Sequence, residues 1–315
     1  MSKKHVLVTG SSGVIGTQLV ELLIKNGCNV RVVYHKRESR FQNSQNIEIV
    51  RGDLTDYNFC TQICKGVNSV YHLAVESGSI VKNAKHPASI MTSTILMDFN
   101  MLKAAYENEV EKYLYSSCSC IYPEKINDMR ENLAWEGPPP KMHETISWSK
   151  RIAELQCQSF NKEYGMKIAI VRPSNTYGPN DILDIENSHV ISSFIKKALD
   201  HTDPFIIWGN GEQIREFIFS RDIAYGMISA LENYCNADPI NLSGGTSIKI
   251  KDLASLIINI VNYSPEIKFD LSKPTGHMKR VLNSKKCKEK INFKPITTLE
   301  EGLKETISWY QKNKN

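Results

Sequence analysis

Near its amino terminus the chain reads Thr9-Gly10-Ser11-Ser12-Gly13-Val14-Ile15-Gly16, between a short apolar run and an amphipathic stretch. The run at residues 5–9 is typical of a buried strand, and residues 17–26 place leucines on one face of a helix. Three glycines at such a strand-to-helix turn indicate a dinucleotide site; the alternative is a turn without a ligand. Gly10 allows a tight turn, Gly13 lets a diphosphate approach backbone N–H groups, and Gly16 lets the helix pack on the strand.

Strand-like and helical patterns alternate after this turn. Further strands are predicted at residues 29–34, 47–50, 69–73, 113–117 and 167–171, and further helices at 57–64, 88–108 and 148–164. This alternation predicts an α/β fold, a Rossmann-type doubly wound parallel sheet with a smaller mixed C-terminal substrate lobe. Residues 1–173 are predicted to form the dinucleotide-binding domain, completed by later segments, and residues 174–315 mainly the substrate-binding lobe.

Composition excludes several classes of protein. The chain has 315 residues, 41% hydrophobic and 23% charged, which is ordinary for a globular protein. Its net charge of +5 is spread evenly, so no nucleic acid partner is predicted. No apolar run approaches the roughly 20 residues of a membrane span, and no signal sequence is visible, so we expect a cytoplasmic protein without a membrane partner. The eight cysteines lack metal-ligand spacing; we expect no metal and mostly free thiols.

The end of the second predicted strand bears on the choice of cofactor. An acidic residue there would bind a ribose 2′-hydroxyl, but the chain continues with a basic cluster. Such a cluster suits a 2′-phosphate and favours NADP, while NAD stays open because the cluster is also typical of a solvated loop. The candidates are His35, Lys36, Arg37 and Arg40. Asp53, after the third strand, is expected near the adenine, although aspartate is also common in turns.

Several strings resemble the extended short-chain dehydrogenase/reductase family, whose sugar-nucleotide members include epimerases, dehydratases and reductases. They are residues 9–16, Gly52-Asp53, His72-Leu73-Ala74, 116–123, Ser149-Lys150, 172–179 and 215–222. The resemblance spans nearly the whole chain. It implies a cofactor-binding set that also includes Ser12, Val14, Ile15, Leu54, Leu73, Ala74, Lys150, Pro173 and Asn175.

Four further strings are similar to one subgroup of that family. They are Cys120-Ile121-Tyr122-Pro123, residues 187–191, Trp208-Gly209-Asn210-Gly211 and residues 272–276. The members of this subgroup use NADP, epimerise C3 and C5 of a GDP-linked 4-keto-6-deoxyhexose, and then reduce C4. The resemblance therefore implies a GDP-sugar substrate.

Epimerisation next to a ketone needs an acid and a base on opposite faces of the sugar. The resemblance assigns these roles to Cys120 and His189, and both residue types can titrate near neutral pH. The alternatives are a buried structural cysteine and a packed or capping histidine.

The reductive step departs from the pattern of the family. The family places a tyrosine four residues before the lysine, and here Ile146 stands four residues before Lys150. The helper hydroxyl of the family falls on Cys118, with Ser119 beside it. Loss of a general acid costs roughly 10²- to 10⁴-fold in rate. Three interpretations therefore stay open: epimerisation with reduction, epimerisation alone, and a pseudoenzyme or regulatory partner that binds its ligands without hydride transfer.

Arginine suits the two phosphates of a nucleotide sugar, and Arg215 is the first candidate. Trp208 is expected near the base or sugar, although a single tryptophan is more often a core residue. The resemblance adds Asn175, Asn187, His189, Val190, Lys273 and Arg280 to the substrate end. It also implies a homodimer formed through the helices at residues 91–108 and 148–164.

Overall fold

In the computed structural model, the described residues are 3–36, 39–76, 85–181, 189–273 and 278–313. The strands are β1 His5–Thr9, β2 Asn29–Tyr34, β3 Ile47–Arg51, β4 Ser69–His72, β5 Lys112–Ser116, β6 Lys167–Pro173, β7 Asn175–Tyr177, β8 Phe205–Trp208, β9 Ile214–Phe219, β10 Ile240–Leu242, β11 Thr246–Lys249, β12 Ile267–Asp270 and β13 Lys279–Arg280. The helices are α1 Val14–Lys25, α2 Tyr57–Cys64, α3 Pro87–Glu107, α4 Glu144–Tyr164, α5 Val190–Leu199, α6 Ser220–Asn233, α7 Ile250–Val261, α8 Lys285–Ile291 and α9 Leu299–Lys312.

A seven-stranded parallel sheet has the order β10-β6-β5-β4-β1-β2-β3. Strand β1 shows why helices cover both faces, because Val6 and Val8 face one buried cluster while Leu7 faces the other. Helices α1 and α6 contribute Leu19 and Met227 to the first cluster, and α3 and α4 contribute residues such as Met101 to the second. The predicted α/β, doubly wound architecture is confirmed.

Helix α4 begins earlier than its apolar pattern indicates. It starts at Glu144 rather than at residue 148, so Ile146 lies in its first turn. Residues four apart share a helix face, and Ile146 therefore sits directly above Lys150. Because both side chains are buried, this boundary decides what surrounds the lysine.

A smaller lobe lies beyond the sheet. Strand β9 pairs with three strands, β7, β11 and β13, in a mixed sheet. Strand β8 pairs with β12 in a separate two-stranded sheet. Its own apolar cluster includes Phe194, Leu253 and Leu303. The buried carboxylate of Glu216 on β9 joins the lobe to the loops that follow β6 and β10.

Within the described ranges, no helix combines the length and apolar character that crossing a membrane requires. The same ranges contain no group of three or more His, Cys, Asp or Glu side chains placed to hold a metal ion.

Candidate functional site

The glycine-rich turn packs against the ends of two strands. Gly10 has φ +67°, and a Cβ atom there would stand 2.8 Å from the backbone of Leu73 and Ala74. At Gly16 a Cβ atom would stand 2.2 Å from the Gly10 carbonyl oxygen. Contacts this short exclude larger residues, so the glycines hold β1, β4 and α1 close together.

The same turn fits the diphosphate of a dinucleotide. Gly13 is the N-cap of α1 and supplies no side-chain cap to the N–H groups of the first turn. The hydroxyl of Ser12 is buried and has no hydrogen-bond partner among the described residues. A diphosphate placed here would accept hydrogen bonds from these groups and interact favourably with the helix dipole.

The predicted basic cluster at the end of β2 is partly neutralised by acids. His35 Nε2 lies 3.7 Å from Asp53 Oδ2, and Lys36 Nζ lies 3.8 Å from Glu76 Oε2. Burial acts to raise the pKa of Asp53, but hydrogen bonds from Thr55 and the charges of His35 and Lys36 outweigh it, so this pKa is lowered. His35 and Lys36 are thus exposed at the end of β2, each beside a carboxylate.

The other two members of the predicted basic cluster are Arg37 and Arg40. The guanidinium of Arg40 stacks on Trp309, 4.6 Å from the ring centroid. Arg37 lies outside the described residues. Leu54, predicted with the cofactor set, is a buried residue of the core just after β3.

A chain of buried polar side chains runs beneath the ends of β1, β4 and β5. Thr9 Oγ1 accepts hydrogen bonds from the N–H groups of Leu73 and Ala74. The Thr9 hydroxyl therefore donates its own proton to His72 Nδ1, at 2.8 Å. His72 Nε2 must then carry the other proton and donate it to Asp98 Oδ1 at 3.0 Å. The histidine is therefore a neutral imidazole with its proton on Nε2.

Asp98 is the centre of this chain. Its second oxygen accepts a hydrogen bond from the Tyr115 hydroxyl at 2.6 Å and lies 3.6 Å from Lys150 Nζ. Burial acts to raise the pKa of Asp98, but Lys150, His72 and Tyr115 lower it overall. Burial lowers the pKa of His72 more than Asp98 raises it. The pair Asp98–Lys150 is therefore an ion pair with a neutral histidine beside it.

Lys150 lacks the phenol that the family pattern pairs with it. Ile146 lies one helical turn away on the same face and is 8% exposed. An isoleucine side chain neither donates nor accepts a proton, and the described ion-pair partner of Lys150 is Asp98 instead. Lys150 thus stands where the family pattern has its lysine, with Ile146 in the place of the tyrosine.

Residues 118–120 form a turn that carries the predicted acid-base cysteine. The sulfur atoms of Cys118 and Cys120 are joined in a disulfide, and their Cα atoms are 5.4 Å apart. The other six cysteines are free, as predicted for most of them, and this pair is the exception. A disulfide holds no thiol proton, so Cys120 can transfer a proton only when the pair is reduced.

Three side chains fix the backbone of this turn. The carbonyl of Ser119 accepts a hydrogen bond from Arg280 at 2.6 Å, and that of Cys120 accepts one from Ser147 at 3.0 Å. The carbonyl of Ile121 accepts two hydrogen bonds from Arg151, at 2.7 and 3.1 Å. Helix α4 and strand β13 therefore hold the backbone of residues 119–121 in place.

Two arginines lie beside this turn. Arg280 on β13 is the register partner of Arg215 on β9. Burial, and then the charge of Arg215, lower the pKa of Arg280 to about 10. Arg280 Nε is buried and has no hydrogen-bond partner among the described residues. A half-buried guanidinium beside a second positive charge is stabilised by an anion.

The predicted histidine lies at the start of α5. His189 is the N-cap of this helix, its side chain is exposed, and its Nδ1 lies 3.6 Å from Asp181 Oδ2. The hydrogen bond to Asp181 raises the pKa of His189. Among the described residues, His189 thus pairs with Asp181. No hydrogen bond between these residues joins His189 to Cys120.

The remaining predicted substrate residues have varied surroundings. Trp208 is 52% exposed, with Lys273 Nζ 5.7 Å from its ring centroid. The Asn175 amide donates to the Glu216 carbonyl at 2.8 Å and so aligns β7 with β9. Val190 is half-buried against the lobe core, and Pro173 ends β6. Asn187 lies outside the described residues.

Sequence reasoning missed Asp98, Asp181, Ser147 and Arg151. Asp98 left a signal, because it is a carboxylate on the otherwise apolar face of a helical pattern. Such a residue is rarely buried unless it is paired. Asp181, Ser147 and Arg151 left no such signal, because their partners come from other parts of the chain.

Residues 6–243 match the model of the NAD dependent epimerase/dehydratase family. The GDP-L-fucose synthase of Dictyostelium discoideum is 30% identical over 318 residues, which cover 99% of this chain and 97% of that protein. The enzyme of the same name from Escherichia coli K12 is 28% identical, with 100% and 99% covered.

A solved structure gives the same result. The GDP-L-fucose synthetase of Naegleria fowleri bound to NADP superposes with a TM-score of 0.85 at 26% identity. The match covers 100% of this chain and 94% of that one. The family match over most of the chain and these full-length similarities agree with the glycine-rich turn and the lysine on α4. The chain belongs to the NAD dependent epimerase/dehydratase family.

Proposed function

We propose that this protein is a nucleotide-sugar enzyme that binds NADP and epimerises C3 and C5 of a GDP-linked 4-keto sugar. Reduction of C4 is a second step whose proton donor differs from the usual tyrosine. In this proposal residues 1–173 mainly hold the cofactor and residues 174–315 mainly hold the nucleotide sugar.

The observation that carries the proposal is the position of Arg280. Its half-buried guanidinium donates a hydrogen bond to the turn that contains Cys120, while its Nε atom has no partner among the described residues and the charge of Arg215 repels it. A diphosphate would accept bidentate hydrogen bonds from Arg280 and offset this repulsion. The anion would then hold the attached sugar next to the cysteine turn. This juxtaposition fits a nucleotide diphosphate sugar as the substrate.

The side chains present suit proton transfer at carbon. In its reduced form, Cys120 would remove the proton from a carbon next to the ketone. His189, whose pKa the hydrogen bond to Asp181 raises, would deliver a proton to the opposite face. Lys150 would contribute a positive charge near the cofactor ribose, held by Asp98. A bound NADPH would supply the hydride that reduction of C4 requires.

The relatives support the nucleotide and the cofactor. The proteins from Dictyostelium and Escherichia coli carry the name GDP-L-fucose synthase, and the Naegleria structure holds NADP. The cations at the end of β2 support the same cofactor, since a 2′-phosphate needs positive charge there.

The test is proton NMR of GDP-4-keto-6-deoxymannose in D₂O, with the protein kept reduced by dithiothreitol. We expect deuterium at C3 and C5 with the wild-type protein. In Cys120→Ser and in His189→Asn, exchange should fall by roughly 10²- to 10⁴-fold. Cys28→Ser, which changes a thiol outside the site, should exchange like the wild type. Undiminished exchange in both site variants would refute these roles.

A second candidate function is a protein that binds both ligands without hydride transfer. Ile146 favours it, since this residue removes the usual proton donor beside Lys150. The discriminating variant is Ile146→Tyr, assayed by NADPH consumption with the same sugar. If only Ile146→Tyr consumes NADPH, the wild-type site is intact except for the missing tyrosine hydroxyl. Reduction by the wild-type protein would eliminate this candidate.

We also propose a homodimer formed through α3 and α4. Tyr106 on α3 and Tyr164 on α4 stack with ring centroids 4.3 Å apart, and both are exposed. Leu96 and Leu155 on the same two helices are 42% and 53% exposed. Sedimentation equilibrium of the wild type and of Leu155→Glu tests the proposal. A dimer that the charge disrupts is expected, and a monomeric wild type would contradict it.

A further inference from the structure

Cys118 and Cys120 are separated by one residue in the chain and are joined in a disulfide. Both are half-buried, as are Cys28 and Cys235, so small solutes can reach the pair. The six free cysteines lie elsewhere, and burial raises the pKa of each of those thiols. The thiolate is the reactive form, so those six react slowly with oxidants.

Hydrogen bonds to backbone atoms hold the turn independently of the disulfide. Three consecutive carbonyl groups of the turn, at residues 119–121, accept hydrogen bonds from the side chains of Arg280, Ser147 and Arg151. These contacts involve backbone atoms and do not depend on the state of the sulfurs. The turn should therefore keep the two side chains close in the reduced protein as well.

The charge around the pair also favours its chemistry. Arg280 donates to the carbonyl of Ser119, the residue between the two cysteines, and Arg215 lies on the neighbouring strand. Nearby guanidinium groups stabilise thiolates. A peroxide would therefore react at this pair in preference to the buried thiols.

We propose that Cys118 and Cys120 are a reversible oxidation site that removes the proton-carrying thiol when a peroxide is present. The regulatory part of this proposal rests on the proposed function of Cys120. The pairing itself does not.

Each of the two thiols first releases its proton. One thiolate attacks an oxygen atom of hydrogen peroxide, the O–O bond breaks, and hydroxide leaves while a sulfenic acid forms. The second thiolate attacks the sulfenic sulfur, the S–O bond breaks, and a second hydroxide leaves as the disulfide forms. The two hydroxide ions take up the two protons that the thiols released, which gives two water molecules. The two sulfurs together lose two electrons, which the peroxide accepts. A dithiol such as dithiothreitol reverses the change and is itself oxidised to a disulfide.

The first test measures mass and needs no activity. The full-length reduced protein is treated with hydrogen peroxide, and its intact mass and a proteolytic map are recorded. We expect the loss of two hydrogen atoms and a bond between Cys118 and Cys120. Retention of all eight free thiols, or a bond located elsewhere, would overturn the proposal.

The second test uses a matched variant. Cys118→Ser removes the partner thiol, so Cys120 should gain oxygen atoms under excess peroxide instead of losing hydrogen. Oxidation beyond the sulfenic acid is not reversed by dithiothreitol, so the deuterium exchange of this variant should stay lost. In the wild type and in Cys28→Ser, exchange should fall by roughly 10²-fold and recover with dithiothreitol.

The outcomes separate the two proposals. Exchange that persists after the disulfide has formed would overturn the switch. Absence of exchange in the fully reduced protein would instead refute the proposed function, while the mass test would still decide whether the pair forms.

Discussion

At the scale of single residues, Asp181 controls the proton on His189. Its carboxylate raises the pKa of the histidine, so the protonated form should persist above the ordinary value of about 6.5. We expect deuterium exchange to fall as pH rises through this raised pKa. In Asp181→Asn the fall should move to lower pH, because the stabilising charge is gone while the shape is kept. The measurement is the pH profile of kcat/KM for exchange.

The control for this prediction is Ser192→Ala. Ser192 donates a hydrogen bond to the same carboxylate, so the variant alters the surroundings of Asp181 but keeps its charge. Its alkaline limb should coincide with that of the wild type. An alkaline limb that stays in place in Asp181→Asn would show that His189 is not the titrating acid.

At the scale of single elements, the start of α1 depends on Gly16. A Cβ atom there would collide with the Gly10 carbonyl oxygen, which is backbone and cannot turn aside. Gly16→Ala should displace the helix from the turn, lower the free energy of unfolding by about 1–3 kcal/mol, and weaken NADPH binding at least about tenfold. Urea denaturation and fluorescence titration with NADPH measure the two effects.

The matched control is Gly137→Ala. A Cβ atom at Gly137 would meet only Pro123, at an ordinary contact distance of 3.6 Å. This variant should bind NADPH and unfold like the wild type. Equal NADPH affinity in the two alanine variants would contradict the role given to the turn.

The ends of β1 and β4 meet at a histidine that the fold keeps neutral. Burial lowers the pKa of His72, so below about pH 6.5 the unfolded chain binds a proton that the folded chain does not. Stability should therefore fall as pH drops below that value, by up to about 1.4 kcal/mol per pH unit from this group. Urea denaturation of the wild type and of His72→Gln between pH 5 and 8 isolates the contribution of this histidine to the free energy of unfolding. Parallel stability curves for the two proteins would refute it.

At the scale of the whole molecule, Glu216 joins the sheet to the lobe. Its buried carboxylate accepts hydrogen bonds from Ser174, from Ser243, from the N–H groups of Gly244 and Gly245, and from that of Leu282. Glu216→Gln removes the charge and turns one acceptor into a donor. The free energy of unfolding should fall by about 3 kcal/mol, because several buried donors lose their partner.

Glu305→Gln provides the comparison, since it makes the same change in the exposed pair Glu305–Arg221. A surface ion pair contributes about 1 kcal/mol or less. If the two glutamine variants unfold at the same urea concentration, Glu216 does not join the two parts of the molecule.

Much of the first half of the chain can be predicted from local pattern. The strands at His5–Thr9 and Asn29–Tyr34 have the predicted bounds, and the glycine-rich turn lies between a strand and a helix as expected. Alternation, helical periodicity and glycine spacing act within a dozen residues, so the chain carries them in order along its length. The start of α4 escaped this reasoning, because its first turn has no apolar periodicity of its own.

The chemistry of the site depends on residues that are distant in the chain. Asp98 meets Lys150 because α3 and α4 pack side by side over β5, and Arg215 meets Arg280 because β9 and β13 share a register. Arg280 reaches Ser119 across 161 positions of sequence. Local pattern thus indicated the fold class and the glycine-rich turn, while the family resemblance supplied the candidate roles of Cys120 and His189. Their partners, charges and the pairing of Cys118 with Cys120 were decided by tertiary packing, because strand register and helix contact bring together segments that no local window contains.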